Sequence, residues 1–296
     1  MNSRFAIIVL IIVAFTTITG CQKKKNNRLT LLPEYRNSAE AHYNLGSTLA
    51  RNGKFDEALP LLRRSLELDP NYFASYNSLG LISVHKGNIE EAAAYFLKAI
   101  KINDSFAEAH YNMGVCFMRM KNTERGQKEI ERAVQLDPNH IDGIFAMAEI
   151  YYGQGNKEVA LSFYEKYLRL VPDDSVVLLK AGWVSYERGD IQRAIDKIKM
   201  AIKFNPESGE AYYRLGCIYQ YQSIHTKAEE LYLKAIEKNP RQINAYVNLG
   251  DMYLADHNLD KARFYYKNAL ALDRNNQYVQ NKIAQTEEKV ENAEGN

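Results

Sequence analysis

GEAYYRLGCIYQYQSIHTKAEELYLKAIEKNPRQ, residues 209–242, carries the pattern that decides the fold. Small residues stand at its eighth, twentieth and twenty-seventh places (Gly216, Ala228, Ala235), and Pro240 stands at the thirty-second. Apolar residues recur every three or four positions on both sides of a polar turn around Ser223, which predicts two amphipathic helices. The same pattern returns outward in both directions. Pro70, Pro138, Pro172, Pro206 and Pro240 are spaced by 34 residues or by twice 34. Aligned on them, the chain divides without insertion into seven units: 39–72, 73–106, 107–140, 141–174, 175–208, 209–242 and 243–276. A length of 296 residues alone suggests about two domains. The period overrides that and makes this a repeat protein.

Each recurring place has a physical task. Glycine holds place eight in six units (Gly46, Gly80, Gly114, Gly182, Gly216, Gly250), with Ala148 in the fourth. Place twenty is alanine in all but Gly126. Small side chains there let the two helices of a unit approach closely. Asn52-Gly53, Lys86-Gly87 and Arg188-Gly189 end first helices in a left-handed turn. The Asp-Pro and Asn-Pro pairs stop second helices, because the residue before proline is pushed out of the α region.

These residues resemble the tetratricopeptide repeat, with its aromatic at place four, Leu-Gly at seven and eight, Ala at twenty and twenty-seven and Pro at thirty-two. The resemblance covers residues 39–276 and recurs seven times. It implies an all-α fold, a right-handed superhelical solenoid of seven helix-turn-helix repeats. Some places depart from the pattern. Asp104 and Arg274 replace proline, Lys121, Ser223 and His257 stand at place fifteen, and Pro60 lies inside a second helix, which marks repeat one as the most loosely held. Residues 277–296 read as a capping helix with an acidic tail, its apolar side made of Tyr278, Val279, Ile283, Ala284 and Val290. Leu29, Leu31, Leu32 and Tyr35 are expected to cover the first helix, after a flexible tether at 22–28.

Residues 1–20 read as a signal peptide rather than fold. Arg4 precedes an apolar run from Phe5 to Phe15, too short for the roughly 20 residues of a spanning helix. Ile18-Thr19-Gly20-Cys21 resembles the lipobox of bacterial lipoproteins, which implies cleavage before Cys21 and acylation of its thiol. Residues 21–38 then form the lipidated end and tether, with Lys23, Lys24, Lys25 and Arg28 near the head groups. Gln22 is not the Asp that retains such proteins in the inner membrane of enteric bacteria. The expected place is the cell envelope, at the outer membrane facing the periplasm. Cys116 and Cys217, three repeats apart, are too distant to pair in a nearest-neighbour stack and read as small buried hydrophobes.

Net charge is only +2, with charged residues at 25% and apolar ones at 46%, so there is no nucleic-acid footprint. No phosphate loop occurs; Gly153-Gln154-Gly155 falls in an interhelix turn. The histidines form no zinc pattern, and His42 and His110 take the aromatic place four. Asp173-Asp174-Ser175 reads as helix capping. No catalytic residue, metal site or cofactor is expected, and the chain does not read as an enzyme.

The resemblance implies a binding groove lined by places two, five, nine, twelve and thirteen of the first helices. Those places carry Tyr43, Tyr111, Phe145, Glu149, Tyr152, Trp183, Tyr186, Tyr213 and Tyr221, an aromatic stripe concentrated in repeats three to six. Large, stiff aromatics of this kind dominate protein interfaces. Glu149, Asp142 and Glu187 predict a partner with basic groups. No repeat joins Lys at place five to Asn at place nine, the pair that holds chaperone tails in this family. The reading is a lipid-anchored, non-catalytic scaffold or assembly factor binding a protein or peptide segment. Lipoproteins of similar build serve pilus, secretion or outer-membrane assembly. The alternative is a glycan-handling protein, or a regulator or carrier of a cell-wall enzyme, using the same groove.

Overall fold

A computed structural model of the chain describes residues 21–23, 29–31 and 36–294. The expected signal peptide at 1–20 lies outside the described residues, as do 24–28 and 32–35 of the tether. Two short strands, β1 (Cys21–Lys23) and β2 (Leu29–Leu31), pair antiparallel with Cys21 opposite Leu31. Gln22 and Lys23, expected in the tether, thus lie in a hairpin, and β2 packs on the first helix.

Fifteen helices follow. They are α1 (Ala39–Arg51), α2 (Phe55–Leu68), α3 (Phe73–His85), α4 (Ile89–Ile102), α5 (Ala107–Arg119), α6 (Thr123–Leu136), α7 (Ile141–Gly153) and α8 (Lys157–Leu170). After them come α9 (Ser175–Glu187), α10 (Ile191–Phe204), α11 (Gly209–Tyr221), α12 (His225–Lys238), α13 (Ile243–Ala255), α14 (Leu259–Leu272) and α15 (Gln277–Glu294). Every repeat starts its helices at places one and seventeen and ends them at thirteen and thirty. The all-α paired-helix architecture read from the period is the one observed.

Place eight faces place twenty-four. A methyl built on Gly80 would stand 2.5 Å from the Phe96 ring, one on Gly216 2.7 Å from Tyr232, and one on Gly250 2.5 Å from Tyr266. The missing Cβ is therefore what admits the ring, and all three rings are fully buried. The turn between the helices takes a left-handed residue at place fifteen in all seven repeats. Gly53, Gly87, Gly155 and Gly189 adopt it freely, while Lys121, Ser223 and His257 hold it at φ 61°, 60° and 58° with a side chain.

Second helices end by a device broader than proline. Asn103 and Asp273 precede Asp104 and Arg274 instead of proline, yet both are extended, at φ −137° and −136°. Their side-chain oxygens accept from the backbone N–H two residues on, Ser105 at 3.1 Å and Asn275 at 3.2 Å. This local turn closes the helix without help from the ring. Asp174 caps α9 as expected, accepting from the N–H groups of Val176 and Val177.

Packing divides the chain into two compact units, Met1–Met147 and Ala148–Asn296, the division falling inside α7. The first buries Leu45, Leu49, Leu62, Leu79 and Ile82, and a second cluster around Phe96, Met113 and Cys116. Pro60 is exposed on α2, past its first turn. The second unit holds one continuous core from Ala194 to Val279. There α15 closes α14: Val279 is fully buried, Ile283 packs beside it, and the half-exposed Tyr278 hydroxyl donates to Asp251 at 2.8 Å.

Candidate functional site

Trp183, Tyr186 and Glu187 share the solvent side of α9 because their spacing of three to four residues keeps them on one helical face. The indole and Tyr186 rings lie 5.0 Å apart, and Tyr221 of α11 meets Tyr186 edge-on at 5.6 Å. Tyr221 is the outermost ring, 69% exposed. Arg214, also on α11, lays its guanidinium 4.6 Å from the indole centroid. Glu187 ties this row to α7 and α8. It accepts from Trp183 Nε1 at 2.8 Å and the Tyr152 hydroxyl at 3.2 Å, and pairs with Lys157 at 3.3 Å. Burial and then the Glu187 charge hold the Tyr152 phenol above its ordinary pKa, so it stays a donor.

Four of the expected groove residues therefore meet in the second unit: Tyr152, Trp183, Tyr186 and Tyr221. Tyr213 leans on the core, 5.9 Å from Tyr232, and burial beside Cys217 raises its phenol well above the usual range. Glu149 is not poised for a basic ligand. Its carboxylate accepts from the Tyr164 hydroxyl and pairs with Lys180 at 2.9 Å. Cys217 sits in a polar nest with Asn248, while Cys116 is fully buried and its thiol is pushed up to about 11.

Tyr43, Tyr111 and Phe145 belong to the first unit. Tyr111 packs 5.0 Å from His140, whose Nε2 donates to Glu108 at 3.1 Å while its Nδ1 accepts the Gly143 N–H at 3.0 Å. The Glu108 hydrogen bond raises His140 above the ordinary imidazole value and lowers Glu108. His42 and His110, expected as aromatic stand-ins, are buried but hydrogen-bonded, His42 to the Ser38 carbonyl and His110 to Glu129. Tyr43 lines a cleft of about 440 Å³ between α1 and α3, with Ser47, Ala50, Asn77, Leu81 and His85. Tyr43 is the one residue of this cleft that its aromatic type singles out among the expected groove residues; Ser47 and Ala50 open the space beside it and carry no such signal. Arg214 escaped notice for a different reason: it stands at place six, outside the family's groove places. Its signal is a 31-residue offset, the same as between Glu149 and Lys180 and between Cys217 and Asn248.

Among the described residues no group of His, Cys, Asp or Glu is arranged to hold a metal ion, and no helix is long and apolar enough to cross a membrane. Tetratricopeptide repeat models match residues 34–73, 43–108, 107–140, 145–209, 209–242 and 231–264, most of the chain. The chain belongs to the tetratricopeptide repeat (TPR) family. As a TPR array it is a protein-interaction scaffold of a typically non-catalytic kind. No curated protein matches it. Among solved structures it is similar to the C-terminal part of a TPR repeat-containing protein of Cytophaga hutchinsonii, at 19% identity and a TM-score of 0.67, over 81% of this chain and 99% of that one. It is also similar to PilF of Pseudomonas aeruginosa, at 19% identity and a TM-score of 0.59, over 72% and 97%. A third likeness is to YrrB, described as a TPR protein with an unusual peptide-binding site, at 20% identity and a TM-score of 0.57, over 62% and 95%. At these identities the likeness extends to the TPR fold.

Proposed function

We propose that this TPR array is the extracytoplasmic, lipid-anchored part of an envelope assembly, held by acylated Cys21 and gripping a protein segment on the Trp183–Tyr186–Tyr221 row. The observation that carries the reading is that row itself: three rings in contact, one tilted on the next and the last edge-on, line one side of neighbouring first helices and reach solvent at Tyr221. A peptide-binding site in YrrB, on the same fold, supports a peptide as ligand class. The acyl chains suggested by Ile18-Thr19-Gly20-Cys21 supply membrane affinity of about 0.8 kcal/mol per buried methylene.

Two measurements test this. Cys21→Ser is expected to leave the membrane pellet, and a variant that sediments and is processed like the parent removes the anchor. A photocrosslinker at Tyr221 is expected to trap one protein partner in intact cells, and Trp183→Ala with Tyr186→Ala to abolish the adduct. Adducts with cell-wall glycan instead of protein would favour the glycan-handling alternative.

A further inference from the structure

We infer that the aromatic row of the second unit reads a side-chain carboxylate, so that its partner presents an Asp or Glu between apolar residues in an extended segment. This rests on the groove reading above and adds the charge of the ligand.

The argument starts from the three carboxylates and three cations around the row. Glu149 is held by Lys180 and the Tyr164 hydroxyl. Glu187 is held by Lys157, Trp183 Nε1 and the Tyr152 hydroxyl. Glu210 is held by Arg214 Nε at 2.5 Å and Gln242 Nε2 at 2.9 Å. Each of these acids already has two or three donors and a cation beside it, so its charge is balanced before a ligand arrives. The expectation of a basic partner rested on Glu149, Asp142 and Glu187; Glu149 and Glu187 are neutralised by Lys180 and Lys157, while Asp142 stands exposed in the first unit.

The cations differ among themselves. Lys157 and Lys180 each face one of these carboxylates. Arg214 engages Glu210 through Nε only, one of its five N–H donors. Its two terminal nitrogens meet no acceptor among the described residues, and the side chain is 29% exposed. The indole 4.6 Å away restrains the guanidinium by a cation–π contact while the side chain keeps part of its surface in water. A planar, pre-oriented fork of N–H groups matches a carboxylate through two parallel hydrogen bonds.

The rings say where in the ligand that carboxylate sits. Tyr152 lies on the helix pair before α9 and Tyr221 on the helix after it, so a segment crossing α9 finds a ring on either side of the fork. An interior residue uses both; a chain end uses one. The hydroxyl and indole donors that would help hold a terminal carboxylate are engaged by Glu187.

Trp183 is the only tryptophan in the sequence, so indole fluorescence of the intact protein reports this site. The test titrates four tripeptides: acetyl-Phe-Glu-Phe-amide, its Gln and Lys analogues, and acetyl-Phe-Gln-Phe with a free carboxylate. The capped Glu peptide is expected to bind at least about tenfold more tightly than the Gln and Lys peptides. Arg214→Gln should bring it to the level of the Gln peptide and leave the latter unchanged. Arg214→Lys, which keeps the charge and loses the fork, should lose most of the preference. Equal binding of Glu and Gln peptides overturns the inference and leaves the groove standing. So does a preference for Lys, or tighter binding of the free-ended peptide. Binding of none of the four up to millimolar concentration overturns the groove reading with it. The peptide series on the parent protein stands even if an Arg214 variant misfolds.

Discussion

Repeats one and two and repeats five and six put opposite chemistry on the same scaffold. At places nine and twelve the first repeat carries Ser47 and Ala50, and a cleft of about 440 Å³ opens beside them. The fifth carries Trp183 and Tyr186 at those places, and a row of aromatic rings in contact stands there instead. Beneath both, glycine at place eight receives a buried side chain from the second helix, Leu62 and Phe96 under Gly46 and Gly80, Ile198 and Tyr232 under Gly182 and Gly216. The floor is thus conserved in geometry while the surface is free to be hollow or filled, because groove side chains do not set the helix spacing. Shape on this face is decided one residue at a time.

Breaking the floor should give the largest effect, alike in both regions. Gly80→Ala and Gly216→Ala each press a methyl into an aromatic ring and are expected to cost roughly 1–3 kcal/mol in denaturant unfolding. With nearest-neighbour coupling, amide exchange should rise around the altered repeat and little elsewhere. A uniform rise across all seven repeats would contradict a stack of locally coupled units.

Carrying the first repeat's surface onto the fifth is the sharper test. Trp183→Ser with Tyr186→Ala reproduces Ser47 and Ala50 and leaves Gly182 and Ala194 in place. Stability should fall by only about 1 kcal/mol, against roughly 3–5 for truncating a buried ring such as Tyr232. Affinity for the bound segment should fall about thirtyfold, the weight of a 2 kcal/mol hot spot. Collapse of the fold would make these rings part of the core and end the distinction between floor and surface.

A pH response should separate the two units more gently. In the first, Glu108 is lowered by its hydrogen bond to His140, so its contribution is lost as pH falls through its folded pKa, below the carboxylate range near 4.5. His140 is raised, so its contribution is complete below about 6.5 and is lost as pH rises through its folded pKa. The pair is therefore strongest between those limits, and the start of α7 should loosen as pH climbs from 6 to 8, by under about 1 kcal/mol given the half-exposed Glu108. His225 and His257 of the second unit lie exposed at helix ends and turns. Stability in denaturant should fall by that amount across this range, and His140→Gln should remove the pH dependence.

The smallest effect expected is a gain. Lys121→Gly in the first unit, and Ser223→Gly and His257→Gly in the second, relieve left-handed residues carrying a Cβ. Each should stabilise by a few tenths to about 1 kcal/mol after the entropy of the new glycine is subtracted. A loss of thermal stability at all three would show that those side chains hold the turns.

The period made the fold legible because packing writes it at fixed places: Gly216, Ala228 and Ala235 are small for reasons any sequence reader can reconstruct. The turn at Ser223 was marked as a departure, but its positive φ was invisible, since nothing in a serine announces it. The site was half legible. Trp183, Tyr186 and Tyr221 stand out by type. The neutralisation of Glu149 and Glu187 depends on Lys180 and Lys157, which reach them from other helices. One regularity would have exposed such contacts: a first-helix residue meets those 31 and 35 positions later, as in Trp183 with Arg214 and Tyr186 with Tyr221. Applied to Ala50, the same offsets give Leu81 and His85, both in the cleft. The hairpin at Cys21 had no such periodic signal behind it.

The closing helix, α15, begins at residue 277, in phase with the seven repeats, where the first helix of an eighth would begin. A stack of like units has no internal stop, since the top of each fits the bottom of the next whether or not one chain joins them. Left bare, its end would recruit another molecule, and the product would be a filament. Here Tyr278 anchors on Asp251, Val279 seals the core, and the far side offers Gln280, Asn281, Glu287 and Glu288 to water. Eighteen residues thus cover the apolar face of α14 that another repeat would otherwise have to bury.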